Sequence, residues 1–433
     1  MNLYKKIGIA TLIGLIGLTS CQKEPQGQHY NIQLAYSGNI DLIEKAVVIS
    51  RSEFQDLPIG DFFPIILTEM NDTVPAQFDD SNGDGSWDEL FFLINLKSGE
   101  GRNLKLLLAE NKQDFEKRVN IRFGVRESEN DIVKPATSHT FYPHQLPGVM
   151  GYQPYQTDGP SWENDCVGFR HYLDGRNSKD VFGKKVKYMS PDDVGINEEG
   201  VTEDNYHVME DWGRDILAVG NSVGIGGFGL KIGDRLARLG VTEQDSLNNV
   251  SETDYTILAN GSIRGLMRFD YHDWKPQEFD RIYQVKEYTS IWAGVQGYQN
   301  TVSISGLQGD EELVIGLVNS RTDKPLTSME VGNFQILYTH DLQTYEKDWY
   351  LGLALIVPKE NFLGFSEAPK EGSLSNSYLA RMKIDEGKQI SYYAVAAWEL
   401  SDERFREEAY FRDYLKTLAE NIDYSIDIHI SKQ

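Results

Sequence analysis

The chain has 433 residues, of which 42 are Lys or Arg and 66 are Asp or Glu, giving a formal net charge of −24 at pH 7. So acidic a surface repels nucleic acid and anionic headgroups, which excludes both as partners and leaves a membrane reachable only through a covalent anchor. The 23 Tyr, 19 Phe and 39 Gly favour strands and turns over helices, and two Cys are too few for a disulfide-stapled scaffold.

The first residues carry Lys5 and Lys6, an apolar run from Ile7 to Leu18, and Leu18-Thr19-Ser20-Cys21. A basic start, an apolar stretch and a small-residue box ending in Cys form a lipoprotein signal peptide over 1–21, with a diacylglycerol expected on Cys21. The apolar run is shorter than the roughly 20 residues a spanning helix needs, so this segment anchors and does not span. A polar tether follows over 22–28, and Gln22 is not the Asp that often retains lipoproteins in the inner membrane. The expected location is the outer membrane, with the body on the periplasmic or cell-surface side.

Short alternating or apolar runs at 30–35, 45–49, 90–96, 104–109 and 119–123 predict strands of an N-terminal β-rich subdomain, 29–125. A charged stretch, 126–134, separates it from a larger domain, 135–433, with predicted strands from 167–173 through 390–398. In 263–272, Ile263, Met267, Phe269 and Tyr271 share one face, while Arg264, Arg268, Asp270 and His272 share the other, either solvated or forming the floor of a groove. Only 402–421 has helical spacing, through Phe405, Ala409, Tyr414, Leu415 and Leu418, before a last strand at 424–430. The predicted fold is mainly β, an antiparallel β-sandwich with one C-terminal helix. No dinucleotide fingerprint, metalloprotease motif or nucleophile elbow occurs, so no organic cofactor is expected.

Three stretches carry chemistry. Asp80, Asn82, Asp84 and Asp88 alternate along a Gly-rich turn and would offer side-chain oxygens to a structural Ca2+, with Ser86 adding its carbonyl. Phe91 stands where an EF-hand has its bidentate Glu, so no EF-hand helices follow, and a polar hairpin turn is the competing reading. The stretch 151–184 gathers Tyr152, Trp162, Glu163, Arg170, Arg176 and Asn177. Planar guanidinium forks such as Arg170 and Arg176 suit a sugar carboxylate, and aromatic rings suit the C–H face of a pyranose. The third stretch places His207 near Asp211 and Trp212, where a flanking carboxylate can orient an imidazole for acid/base work. For each group, an internal salt bridge or packed side chain is the alternative.

The blocks Gly159-Pro160-Ser161-Trp162-Glu163-Asn164-Asp165, Tyr172 to Asn177 with Asp180 to Lys184, and Asp211-Trp212-Gly213 resemble the signature of the family carrying domain of unknown function 4861. The resemblance covers nearly the whole chain after Cys21. It implies a secreted or lipidated protein encoded with pectin and other uronate-polysaccharide degradation systems, and a galactose-mutarotase-like supersandwich; it supplies no catalytic residues.

Two readings follow. In the first, the protein is an enzyme on uronate-containing oligosaccharides, a lyase, glycosidase or epimerase. Glu163 or Asp211 then moves a proton, His207 supplies one, Arg170 and Arg176 neutralise the sugar carboxylate, and Asn177 adds a substrate contact. In the second, a non-catalytic surface lipoprotein captures polysaccharide on a stacking platform of Trp162, Trp212, Tyr152 and Tyr155.

Overall fold

A computed structural model describes residues 29–55, 62–146 and 153–432. The signal segment, Cys21, the tether 22–28 and Tyr152 lie outside the described residues, and so do the expectations attached to them. Among the described residues no helix is long and apolar enough to cross a membrane.

The chain opens with an alternating strand, Tyr30–Ala35, whose Tyr30, Ile32 and Leu34 are buried. It sits in a five-stranded antiparallel sheet in the order Asp427–Lys432, Tyr30–Ala35, Gly101–Ala109, Phe63–Thr68, Thr73–Val74. A three-stranded sheet, Leu42–Ser50, Glu89–Leu96 and Ala76–Asp79, supplies the other half of this small sandwich. Its core includes Leu90, Phe92, Leu104 and Leu106.

The larger part is built on a nine-stranded antiparallel sheet. Its strands run Ser138–Phe141, Glu252–Asn260, Arg264–Trp274, Tyr283–Trp292, Gly297–Ser305, Ile390–Trp398, Tyr350–Pro358, Phe334–Leu342 and Thr327–Val331. Two five-stranded sheets pack on one side of it, one centred on Glu311–Val318 and the other on Gly168–His171. The shared core takes Met267, Phe269 and Tyr271 from the nine-stranded sheet, Leu313, Ile315 and Leu317 from the first small sheet, and Trp162, Phe169 and Val181 from the second. The mainly β expectation holds.

The opposite face of the nine-stranded sheet carries the longest helix among the described residues, Glu408–Asp423. Phe411, Leu415 and Ala419 recur at helical spacing and bury against Ile336, Tyr338, Ala354 and Ile356. The helix starts later than the predicted 402. Asp402 instead caps a separate 3-10 turn, Glu403–Arg406, and extended Glu407 breaks the two apart.

Strand pairing crosses the expected division at 125/135. Val119–Arg122 pairs with Ser161–Asn164 of the larger part, and Asp427–Lys432 returns to pair with Tyr30–Ala35. Side chains also bind the two bodies: Arg118 bridges Glu44 and Asp165 at 2.5 and 2.6 Å, and Arg264 reaches Glu89 at 2.6 Å. The far face of Arg264–Trp274 is therefore partly covered. Arg264 is buried beneath the N-terminal sandwich, while Arg268, Asp270 and His272 stay half-buried.

Candidate active site

The small sheet centred on Gly168–His171 hides one face and charges the other. Cross-strand pairs Trp162–Phe169 and Phe169–Val181 point into the core. The pairs Arg170–Asp180 and Phe182–Asp215 must then point out, together with Ser161, Glu163 and Lys184. The segment 185–212 covers this polar face and contributes Val194, Tyr206 and Trp212, which pack with Phe182 in a small satellite core.

Phe182 separates two charged clusters. In the first, Glu163 accepts from Lys184, from Arg122 at 3.1 Å, and from the Ser190 backbone N–H at 3.0 Å. Burial pushes its carboxyl up, but Lys184 and Arg122 outweigh this and hold it below the usual range. With its lone pairs so committed and its side chain only 7 % exposed, Glu163 is a structural anion and not a base open to substrate.

The second cluster surrounds Arg170, which is 1 % exposed. Its guanidinium donates to Asp180, to Asp215 at 2.8 Å and to the Tyr172 hydroxyl at 2.6 Å, and lies 3.5 Å from Asp158. It stacks 4.3 Å from the Tyr172 ring, whose other cation is Arg176 at 4.1 Å. Burial and then the negative charge of Asp180 hold the Asp215 carboxyl well above its ordinary value. His207 brings Nδ1 to 3.4 Å from Asp215, with about half its side chain exposed. Burial and the nearby Arg170 push the imidazole below its ordinary value.

Beside this cluster, Asp158, Asp174, Arg176, Asp204, Glu243 and Asp245 line a cleft of about 170 Å³. The Tyr206 hydroxyl lies 3.0 Å from Asp158 Oδ2 and 2.9 Å from Asp204 Oδ1. A phenol has one proton to donate, so satisfying both contacts requires one carboxyl to carry a proton of its own. Burial raises the Asp158 carboxyl above its ordinary value despite Arg170. Asp158 sits in strained backbone: Thr157 and Asp158 have φ of 51° and 59°. Gly159 follows because a Cβ there would lie 2.0 Å from the His171 carbonyl oxygen.

Several expectations are corrected here. Trp162 is core, edge-on to Tyr298 at 5.3 Å, and Trp212 and Tyr155 are buried too, so they form no stacking platform. Arg170 is too deeply buried, with Asp180, Asp215 and Tyr172 already on its guanidinium, to meet a sugar carboxylate. Asn177 ties a turn together, with Oδ1 3.3 Å from His171 and Nδ2 donating to the Leu239 carbonyl at 3.4 Å. Arg176 does reach the cleft, although it is held by Asp174 at 2.7 Å. Asp211 is exposed at the end of the covering segment, and the carboxylate beside His207 is Asp215. The chain order gave no partner for Asp158, Asp180, Tyr206 or Asp215; only the alternation of Arg170 and Tyr172 hinted at them.

In the turn 80–88, Asp80 accepts from the Gly83 and Gly85 backbone N–H groups, Asp84 from Ser86, and Asp88 from Ser81 and Asn82. Among the described residues, the His and carboxylate group whose ligand atoms lie within 4.8 Å of one another is Glu252, Asp254 and His272. Cys166 is free, and burial followed by Asp165 pushes its thiol up to about 12, which leaves it unreactive.

The chain belongs to the family defined by the domain of unknown function DUF4861, whose model matches residues 36–428. It is similar to "Uncharacterized protein P7" of Formosa agariphila, 24% identical over 436 residues, covering 95% of this chain and 96% of that one. Among solved structures it resembles an alpha-mannosidase from Enterococcus faecalis V583, with a TM-score of 0.45, 10% identity, and coverage of 93% of this chain and 46% of that one. A glycosyl hydrolase family 38 protein from Enterococcus faecalis gives a TM-score of 0.47 at 10% identity, covering 94% and 48%. The chain spans about half the length of those two solved proteins.

Proposed function

We propose that this protein is a carbohydrate-active lipoprotein of polysaccharide utilisation that performs acid/base chemistry on an oligosaccharide bound in the cleft of Asp158 and Asp204. The observation that carries this reading is the Asp158–Tyr206–Asp204 constellation, two carboxyls joined through a single phenol at the edge of an open cleft, with burial raising the Asp158 carboxyl. Asp158 is the proton donor to the leaving oxygen, and Asp204 is the base or nucleophile. Laid end to end, the two Tyr206 bonds leave the carboxylate oxygens closer than the roughly 6.5 Å at which inverting glycosidases begin. His207 and Asp215 form a second proton-handling pair on the far side of Tyr206, whose ring is 4.7 Å from the imidazole.

Uronate-containing, pectin-type chains are the proposed substrates, with Arg176, the cationic side chain lining the cleft among the described residues, to meet their carboxylate. A structural Ca2+ in the turn of Asp80, Asn82, Asp84, Ser86 and Asp88 and a lipid on Cys21 complete the proposal. The test incubates the soluble body with pectic, other acidic and neutral oligosaccharides and weighs the products. Products heavier by one water support hydrolysis, and an unsaturated uronate without added water supports elimination. A changed anomer or epimer at constant mass, read by NMR, supports epimerisation. Binding with no chemical change in any substrate overturns the enzyme reading.

A further inference from the structure

Away from the cleft, a cavity of about 310 Å³ opens where the N-terminal sandwich, the outward face of the nine-stranded sheet and the C-terminal helix meet. That size falls within the range of about 300–1,000 Å³ used by small-ligand sites. Phe91, Trp292, Tyr393 and Tyr414 bring aromatic rings to it. Its charged side chains already have protein partners. Arg264 donates to Glu89 at 2.6 Å and to Ser290 at 3.1 Å, Lys45 donates to the carbonyls of Asn421 and Ile422 at the helix end, and Glu44 accepts from Arg118 at 2.5 Å.

The remaining lining combines aromatic rings and aliphatic side chains such as Val48 and Leu418 with neutral amides and a hydroxyl; Gln299, Thr417 and Asn421 donate to Tyr393, to the Asp413 carbonyl and to the Ile43 carbonyl, and their oxygens are left as acceptors. An ionic ligand would meet charges that are already neutralised. A purely apolar one would take the Gln299 and Asn421 amide oxygens out of water without pairing them, which is costly. A neutral pyranose meets both requirements, with its C–H face on a ring and its hydroxyls on the amides.

We infer that this cavity is a second, non-catalytic subsite for a neutral sugar residue, an assignment that rests on the carbohydrate reading above. The candidate cleft lies on the outward face of the sheet carrying Arg170, across the core from this cavity, so the two sites bind independently. A sugar held here touches the N-terminal sandwich, the nine-stranded sheet and the C-terminal helix and clamps them together.

The test uses the full soluble body carrying Asp158→Asn, so that bound sugar is not consumed, with neutral gluco-, galacto- and manno-oligosaccharides titrated separately by calorimetry. Two further variants are compared on that background: Trp292→Ala, and Thr417→Trp, which fills the cavity from an exposed helix position. The expected result is that at least one sugar binds, that both variants weaken it by about tenfold or more, and that the rise in melting temperature on adding sugar disappears with it. Thr417→Trp melting like its parent and still binding sugar at full affinity would overturn the inference, as would no binding by any neutral sugar. Sugar binding lost on filling the cavity, in a protein that turns over no substrate, would sink the enzyme reading and leave this one standing.

Discussion

Arg170 shows how much of the site is fixed by electrostatics. Three aspartates and three aromatic rings surround a guanidinium with almost no exposure, and an ion this deep is tolerable only while every partner stays. Arg170→Ala leaves Asp180 and Asp215 buried without their cation and should cost about 3–5 kcal/mol, read as a lower urea midpoint. On the core side of the same strand, His171 packs near the buried Lys179–Glu287 ion pair, whose separation is 2.6 Å. Burial first, then Lys179, pushes His171 down to about 3. The unfolded chain takes up this proton near pH 6.5, while the folded chain refuses it until about pH 3. Its contribution is therefore complete above pH 6.5 and is lost as pH falls, reaching on the order of 4 kcal/mol near pH 3. Asp158 and Asp215, with raised folded values, act in the opposite direction, favouring the fold at low pH and losing that effect as pH rises. Urea midpoints of His171→Gln should fall less than those of the parent between pH 7 and pH 4. Parallel curves would show that His171 does not carry the acid sensitivity.

At the scale of elements, the helix was legible from Ala409, Tyr414, Leu415 and Leu418, because period 3.6 marks a helix without knowledge of its partner, although the buried stripe is Phe411, Leu415 and Ala419. Leu415→Ala should cost about 2–5 kcal/mol, checked by denaturant unfolding with an unchanged slope. The inward face of Arg264–Trp274 was legible for the same kind of reason, since Met267, Phe269 and Tyr271 alternate. Register was not. Arg170 meets Asp180 across a hairpin whose turn spans 172–178, and alternation alone specifies neither the turn nor the partner. It also misjudged Trp162: its neighbours Ser161 and Glu163 point outward, so its own ring had to enter the core. The turn 80–88 tests a different element. Added Ca2+ should raise the melting temperature, chelator should reverse the rise, and Asp84→Ala should abolish it. An identical melting temperature with Ca2+ and with chelator would assign the turn to its own hydrogen bonds.

Over the whole molecule, the strand count and alternation predicted stacked antiparallel sheets, but not the closing of the chain on itself. The last strand, Asp427–Lys432, pairs along the full length of Tyr30–Ala35, so removing 427–433 should unfold or loosen the N-terminal sandwich first, visible as faster amide exchange in 30–35 and 101–109. The family blocks at 159–184 and 211–213 adjoin the candidate cleft and were legible by residue type. The meeting of Asp158, Tyr206 and Asp204 was not, because it forms only when the segment 185–212 folds over the charged sheet. The central claim is that Asp158 holds the proton the chemistry uses. The most direct measurement is turnover of the best substrate by Asp158→Asn alongside its binding by calorimetry. A loss of about 10²–10⁴ in kcat with affinity retained is the expected result, and turnover at the parent rate would contradict it.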